Sequence, residues 1–320
     1  MNRRALIQSM LAINNVDVPE DFLIVKSNKN IHLGFYRFWN VQRGEPNITD
    51  IFASFDKGVT WINLYDETHM EIDISEDTIY TMSYASSKEI WLYGTSKNGM
   101  LINDFNVFSL EEFNLRYEVD NDTDEGLIIE VEGDLMNLVL RERSLTKRTT
   151  AQGITGVFRD WKHLINSPAI SATKIFAYAF SFLFEGCTSL VNAPELPATT
   201  LADKCYLGMF KGCTSLVNAP ELPATTLADN CYYRMFEGCT SLVNAPELPA
   251  TTLARGCYDL MFKGCTSLTS ITMYYTGNNT SFTYMWVGGV NTVGTLYKAG
   301  TQFTVSGDNT YPGTWTQVQI

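Results

Sequence analysis

Cysteine is the residue in this chain whose chemistry and spacing attract attention first. Its seven copies fall in two registers that each repeat every 26 residues. Thiolates bind zinc, form disulfides and act as nucleophiles. An odd count argues against a purely intramolecular disulfide framework, and no C-x-x-C or Cys/His pair has zinc spacing. The registers are Cys187, Cys213, Cys239 and Cys265, and then Cys205, Cys231 and Cys257.

The segment before the first cysteine decides what these thiols do. One period upstream, Trp161 occupies the first register and Ala179 occupies the second. Neither side chain binds a metal or forms a crosslink, so each position accepts apolar residues of different size. We therefore predict buried free thiols that pack as small hydrophobic side chains, with no metal and no cofactor.

Catalytic motifs are otherwise scarce. The three histidines, His32, His69 and His163, lie in no recognisable nucleophile or metal motif. No phosphate-binding loop or nucleophile elbow is present either. A carboxylate pair carries no information in a chain with 35 acidic residues. We predict that the protein is not an enzyme.

The charge balance also limits the partners. The formal net charge is −12, which disfavours nucleic acid because phosphate binding needs a basic surface. Residues 120–125 begin with a D-x-D-x-D pattern typical of a calcium loop. Glu125 stands where the sixth-position glycine is needed, however, and Val131 replaces the bidentate glutamate. A solvated turn is the better interpretation.

The elements that position the cysteines are 26-residue repeats. Three nearly identical copies begin at Phe184, Phe210 and Phe236. A diverged copy begins at Phe158, and a partial fifth begins at Phe262. A fixed period of this length is typical of supersecondary units that stack on one another, with degenerate ends closing the core. The pattern predicts a solenoid, and solenoids usually bind other molecules.

The apolar spacing within one repeat changes along its length. From Cys187 to Leu196 it reads C-x-x-L-x-x-A-x-x-L, which predicts a short extended segment. Leu201, Cys205 and Met209 then recur at helical spacing before a glycine. Each coil is therefore expected to contain a strand, a turn and a short helix.

The repeat resembles a known family. The phrase F-x-G-C-T-S-L followed by L-P-A-T-T-L resembles the BspA-like leucine-rich repeats in surface proteins of gut bacteria and in proteins of their phages. The resemblance covers residues 158–268 and extends more loosely to a Trp- and Gly-rich ending similar to the β cap of such arrays. Residues 131–140 are similar to the lead-in that precedes them. The resemblance implies a leucine-rich-repeat solenoid used for adhesion.

The first half of the chain has a different character. Short aromatic and β-branched runs separated by polar turns indicate a β-sandwich or small barrel. The predicted class is α+β multidomain, with an N-terminal all-β sandwich, a leucine-rich-repeat solenoid and a C-terminal β cap. The expected parts are an anchoring arm (1–20), the sandwich (21–115), a β-rich connector and cap (116–157), the solenoid (158–290) and the β cap (291–320).

Two surfaces of the repeats are candidates for binding. Differences between the close copies fall mostly on the expected helix face. Either these exposed positions vary because nothing constrains them, or they form a recognition surface. The residues concerned are Lys204, Leu207, Tyr233, Arg234, Asp259 and Leu260, with a Glu/Lys alternation at positions 185, 211, 237 and 263.

The expected strand face repeats the same residues instead. Asn192, Asn218 and Asn244 are predicted to form a structural ladder in which each amide bonds the next coil. Beside them run three valines and the row Glu195, Glu221 and Glu247. The glutamates either bind a cationic or polyhydroxyl ligand or keep the face soluble.

The N-terminus bears on location. Two arginines and a brief apolar stretch, interrupted by Gln8 and Ser9, make a poor signal peptide. An amphipathic helix using Leu6, Ile7, Met10 and Leu11 is more natural and would anchor the chain on a larger assembly. No membrane span is predicted.

Because an exported adhesin needs a signal and a phage virion protein does not, we expect a virion structural protein, a tail- or head-associated fibre component. The alternative is an exported bacterial cell-surface BspA-like adhesin. The expected location is the virion surface. Expected partners are other virion proteins, through the arm and sandwich, and a host surface glycan or protein, through the solenoid. A homo-oligomer remains open, since no heptad seam or trimer signature supplies one.

Overall fold

A computed structural model describes residues 23–38, 50–56, 60, 62–63, 70–75, 78–95, 113–119, 123–135, 150–151, 155–304, 306–307 and 309–320. The predicted anchoring arm, the start of the acidic segment and His69 lie outside the described residues. The strands of the first half are β1 (Leu23–Phe38), β2 (Asp50–Ser54), β3 (Ile62–Asn63), β4 (Met70–Ser75), β5 (Thr78–Ser83), β6 (Ser87–Thr95), β7 (Phe113–Val119) and β8 (Ile129–Glu132). Those of the second half are β9 (Thr150–Ala151), β10 (Leu164–Asn166), β11 (Lys174–Ile175), β12 (Ser270–Met273), β13 (Thr295–Lys298) and β14 (Thr316–Gln319).

Strand β1 organises the first half. Its beginning pairs with β6 and β8, and after an irregularity between Lys26 and Ile31 its end pairs with β5 and β7. All four partners are antiparallel to it. Alternate residues Leu23, Val25 and Leu33 are fully buried, as expected of a strand with one face on a core. Strand β1 therefore pairs with two strands along its first part and with two others along its last part.

The sheet of the first half continues into the repeats. It has nine strands, and its last member is β10, which belongs to the diverged first repeat and lies parallel to β8. Single parallel bridges then connect equivalent residues of successive repeats, from Asn166 to Asn192, Asn218, Asn244 and Ser270. Strands β12, β13 and β14 extend the same direction as a three-stranded parallel sheet. The repeats are thus stacked in register, one period apart.

The segment expected to be helical is a series of turns. Its backbone N–H groups alternate in direction: Cys205 N donates to Ala202 O in its own coil (3.2 Å), whereas Tyr206 N donates to Cys231 O in the next coil (3.0 Å). Every fourth residue has a positive φ, as at Lys204 (56°), Gly208 (57°) and Gly212 (74°). Since every second N–H group points to the neighbouring coil, the i→i−4 ladder of an α-helix cannot form.

The predicted α+β class, with a leucine-rich-repeat solenoid of one strand and one short helix per coil, is therefore wrong. The described part of the chain contains no helix, and its secondary structure consists of strands, bridges and turns. Residues such as Leu201, Cys205 and Met209 follow a four-residue turn period, which is close enough to 3.6 to imitate a helix. In the N-terminal half, the described strands β1–β8 pair antiparallel in one sheet, which β10 of the first repeat joins in parallel, in place of the predicted sandwich.

Two columns of aromatic rings fill the core of the repeats. In the first column, Phe158, Phe184, Phe210, Phe236 and Phe262 stack with ring centroids 5.6–5.7 Å apart. In the second, Phe180, Tyr206, Tyr232 and Tyr258 stack at 5.8–6.1 Å. Each ring covers the ring of the coil below it, so burial of apolar area holds the coils in their register.

A tryptophan lies at each end of the first column. Trp286 lies against Tyr258 and Phe262, with centroid distances of 6.4 and 6.2 Å. At the other end, Trp161 contacts Phe158 edge-on at 5.1 Å and its Nε1 donates a hydrogen bond to Leu115 O at 2.7 Å. The first repeat is therefore tied to β7 of the N-terminal sheet.

Candidate functional site

The cysteines lie in the interior. All seven are free and fully buried. In the first register each Sγ lies 3.0–3.1 Å from a phenylalanine carbonyl oxygen, as Cys213 does from Phe184 O, so each neutral thiol donates a hydrogen bond. Burial raises the pKa of Cys205, Cys257 and Cys265 to about 12. This environment disfavours the thiolate that metal binding or nucleophilic chemistry requires.

Metal ligation finds no geometric support elsewhere among the described residues, which contain no group of three or more His, Cys, Asp and Glu side chains placed for a metal ion. Residues 120–122 of the acidic segment lie outside the description. From its end, Asp124 Oδ2 lies 3.2 Å from His163 Nε2. His32 Nδ1 lies 2.9 Å from Ser83 O. His32 thus links β1 to β5, and His163 links the first repeat to the segment that precedes β8.

The repeated residues between positions 191 and 247 form an exposed surface, which we call the ladder surface. Its valines are 39–41% exposed, so large apolar side chains recur in register on the surface. The asparagines and glutamates beside them are exposed too. The ladder surface comprises Val191, Val217, Val243, Asn192, Asn218, Asn244, Glu195, Glu221 and Glu247.

The asparagine row differs in detail from the expected buried ladder. The backbones of the three asparagines form the parallel bridges, but their amides are exposed and meet one another. Asn218 Nδ2 lies 3.5 Å from Asn192 Oδ1, at the outer limit of a hydrogen bond. Ser270 Oγ continues the row by donating to Asn244 Oδ1 at 3.0 Å. The long contact between Asn218 and Asn192 leaves amide donors and acceptors able to bond a ligand.

The glutamate row spans three coils only. Ala169 holds the equivalent position in the coil before it. In the coil after it Leu248 pairs with Met273, which places Thr272 beside Glu247. Parallel neighbours are about 4.8 Å apart, so three carboxylates repel one another along this line. A bound cation would lower that repulsion, and a polyhydroxyl ligand would donate hydrogen bonds to the carboxylates.

The positions that vary between repeats are mostly turn positions. Lys204 and Arg234 both have positive φ, at 56° and 58°. The Lys204 ammonium donates to the Tyr178 hydroxyl at 2.7 Å and lies 5.0 Å from that ring's centroid. The Arg234 guanidinium lies 5.2 Å from the ring centroid of Tyr233. These cations pack on tyrosine rings of the protein itself.

The other variable residues are divided between surface and interior. Leu207 is half-buried, and Leu260 is 5% exposed, so Leu260 contributes nothing to an outer surface. The carboxylate of Asp259 accepts a hydrogen bond from Tyr284 N at 2.7 Å. Partial burial raises the pKa of Asp259. The structure therefore does not unite the six variable residues into one exposed patch.

The Glu/Lys alternation has a structural role that sequence reasoning missed. Glu185 is 11% exposed at its side chain and contacts Arg159 Nε at 2.8 Å and Lys211 Nζ at 2.7 Å. Glu237 contacts Lys263 Nζ at 3.4 Å and Arg234 Nε at 3.6 Å. Residues one period apart stack directly, so opposite charges attract where like charges would repel. The 26-residue spacing of alternating signs is the signal in the sequence from which this row could have been predicted.

Within the described residues, no helix is long and apolar enough to cross a membrane. Comparison of the chain with protein-family models, with curated proteins and with solved structures found no match.

Proposed function

We propose that this chain is a non-enzymatic structural protein of a phage particle that binds the host surface through its repeats. The ladder surface is the observation that carries the proposal. Three coils present the same valine, asparagine and glutamate side chains to solvent, in register and at one fixed spacing. An exposed row of this kind exceeds what stacking alone requires, since the buried columns already hold the coils together.

The chemistry of the ladder surface suits a ligand that itself repeats. Each coil offers an apolar side chain, an amide that both donates and accepts, and a carboxylate that accepts. A polysaccharide presents apolar C–H faces and hydroxyl groups in alternation, and a host surface protein presents similar groups less regularly. Equivalent contacts at several coils add up, so weak binding at each becomes strong attachment.

The stacking of the repeats supports a binding role in a second way. Backbone hydrogen bonds join each coil to the next, and the rings above and below fix their register. A surface that is already ordered loses little conformational entropy when it binds. The ladder surface is therefore preorganised for its ligand.

The resemblance of the repeat phrase to the BspA-like repeats of gut bacteria and their phages supports the proposed location on a phage particle. The N-terminal half, which precedes the repeats, is then the part that contacts other virion proteins. The partner of the N-terminal half at the virion surface would be a protein of the phage tail or head.

Three measurements test this proposal. Mass spectrometry of purified particles should detect the chain at a stoichiometric level, and antibodies against residues 158–268 should label the particle surface in electron micrographs. The purified chain should also compete with particles for adsorption to host cells. Detection on the envelope of uninfected bacteria, with none on particles, would overturn the proposal in favour of a bacterial surface adhesin.

A further inference from the structure

A cleft of about 590 Å³ lies near the C-terminal end of the stack. One wall is the turn segment that follows the last repeat and contains Asn278, Thr280 and Tyr284. The opposite wall comes from the segment between β13 and β14, with Phe303, Ser306 and Asn309. This volume is in the range of protein sites that bind small molecules.

Among the described residues, those that line the cleft carry neutral hydrogen-bonding groups beside aromatic rings. Tyr284 is 54% exposed, so a large part of its ring faces solvent. The described polar lining residues are asparagines, threonines and a serine, which together both donate and accept hydrogen bonds. Aromatic surface with convergent amides and hydroxyls matches the two kinds of surface that a sugar ring presents, an apolar C–H face and a rim of hydroxyls.

The amide of Asn309 is held in a defined orientation. Its Oδ1 accepts a hydrogen bond from Met285 N at 2.6 Å, so its Nδ2 donors point away from that backbone. Two further bonds hold the same segment, from Thr283 Oγ1 to Asn309 O at 2.7 Å and from Trp286 Nε1 to Thr310 O at 3.0 Å. The wall that carries Asn309 is thus attached to the residues around Tyr284.

The opposite wall is fixed to the last full repeat. Tyr284 N donates to Asp259 Oδ1, and Tyr284 O accepts from Leu260 N at 2.8 Å. Both bonds use the tyrosine backbone, so its side chain is left to face the cleft. Asp259, one of the residues that vary between repeats, therefore positions a wall of the cleft.

We infer that this cleft binds one neutral sugar unit of a host glycan, with the Tyr284 ring against its C–H face and Asn278 and Asn309 bonding its hydroxyls. The inference rests on the proposed function, because it names the ligand class for a chain that attaches to a host surface. It adds a second contact at the end of the stack, distinct from the ladder surface.

The test uses the full chain and an array of immobilised neutral hexose and N-acetylhexosamine oligosaccharides, followed by calorimetric titration of the strongest binder. Tyr284→Ala should weaken that binding about tenfold or more because the stacking ring is lost. Tyr284→Phe keeps the ring and should bind within about threefold of the parent chain. Tyr274→Ala removes another exposed tyrosine, outside the cleft lining, and should change nothing.

Circular dichroism melting of each variant shows whether it is folded, and the exposure of Tyr284 makes folding of the alanine variant the expected result. Binding of no neutral oligosaccharide, or binding that Tyr284→Ala leaves unchanged, would overturn the inference. That failure differs from failure of the proposed function, which is read from the presence of the chain on particles. Particles that carry the chain while the cleft binds no sugar would refute the cleft alone.

Discussion

Lys211 Nζ lies 2.7 Å from Glu185 Oε1, although the two residues are 26 positions apart in the sequence. The pair is one step of a row in which opposite charges alternate from coil to coil. Glu185 is held between Lys211 and Arg159, and its side chain is only 11% exposed. A glutamate so little exposed needs its cations, because an unpaired charge there would lose most of its hydration.

Charge reversal in this row should destabilise the stack. Lys211→Glu places a carboxylate beside Glu185, and we expect the free energy of unfolding to fall by about 2 kcal/mol, as measured by urea denaturation. Lys162→Glu reverses a lysine that is exposed and lies outside the row, and should change stability by less than about 0.5 kcal/mol. Equal effects of the two reversals would show that the row contributes nothing specific.

The period of the repeats is the part of the fold that the sequence predicted best. It placed equivalent residues one above another, including the diverged coil in which Trp161 and Ala179 replace cysteines. The helix failed because a turn with positive φ at every fourth residue spaces Cys205 and Met209 much as a helix would. Direction of the backbone N–H groups distinguishes the two, and a single sequence does not display it.

The candidate sites divide in a similar way. The ladder surface was visible as identical residues in successive copies, because its rows follow the repeat period. The role of Glu185 was hidden, because an alternation of Glu and Lys in a single sequence resembles unconstrained variation at exposed positions. The cleft was hidden too, because Tyr284 and Asn309 come from segments that no longer follow the repeat.

Glycine at the turn positions offers a second test. Gly212 has a φ of 74°, and an added Cβ would lie 3.8 Å from its nearest neighbour, so Gly212→Ala should cost only the strain of that backbone conformation, about 1–2 kcal/mol. At Gly208 an added Cβ would lie 2.7 Å from the Phe182 ring. Gly208→Ala should therefore cost about 1 kcal/mol more, measured by thermal or urea unfolding.

A double-mutant cycle supplies the control. In a Phe182→Ala background the ring is absent, and the extra cost of Gly208→Ala over Gly212→Ala should disappear. Persistence of the full difference in that background would mean that the ring is not its cause.

The ring column itself can be tested at Tyr206. Its hydroxyl is buried without a hydrogen-bond partner, and the residue one coil earlier in the column is Phe180. Tyr206→Phe removes the unsatisfied group and keeps the ring, so we expect stability to stay equal or to rise by about 1 kcal/mol. Tyr206→Ala interrupts the column and should cost about 3–5 kcal/mol. A large loss in the phenylalanine variant would reveal a partner for the hydroxyl.

The buried thiols should make the stability of the protein depend on pH in the alkaline range. Burial raises the pKa of Cys205 and Cys265 to about 12, against 9.0 for an ordinary thiol. Above pH 9 the unfolded chain releases protons that the folded chain retains, so the free energy of unfolding should fall as pH rises from about 9 to 12. Below pH 9 this contribution should be constant. Urea titrations at pH 7.5, 9 and 10 measure the trend.

Thiol labelling provides the corresponding kinetic measurement. A chromogenic disulfide reagent at pH 8 should react slowly with the folded chain and rapidly with all seven cysteines in urea. Rapid labelling of the folded chain would show that thiolates are accessible, contrary to their burial.

The central claim, that the repeats bind the host through the ladder surface, is tested most directly by the affinity of the purified chain for intact host cells. Val217→Arg combined with Glu221→Arg changes an apolar and an acidic side chain in the middle coil, and should weaken binding at least about tenfold. Thr225→Arg adds an arginine at an exposed position of the same coil, outside the ladder surface, and should bind like the parent chain. Unchanged binding by the double variant, or equal loss in both, would contradict the claim.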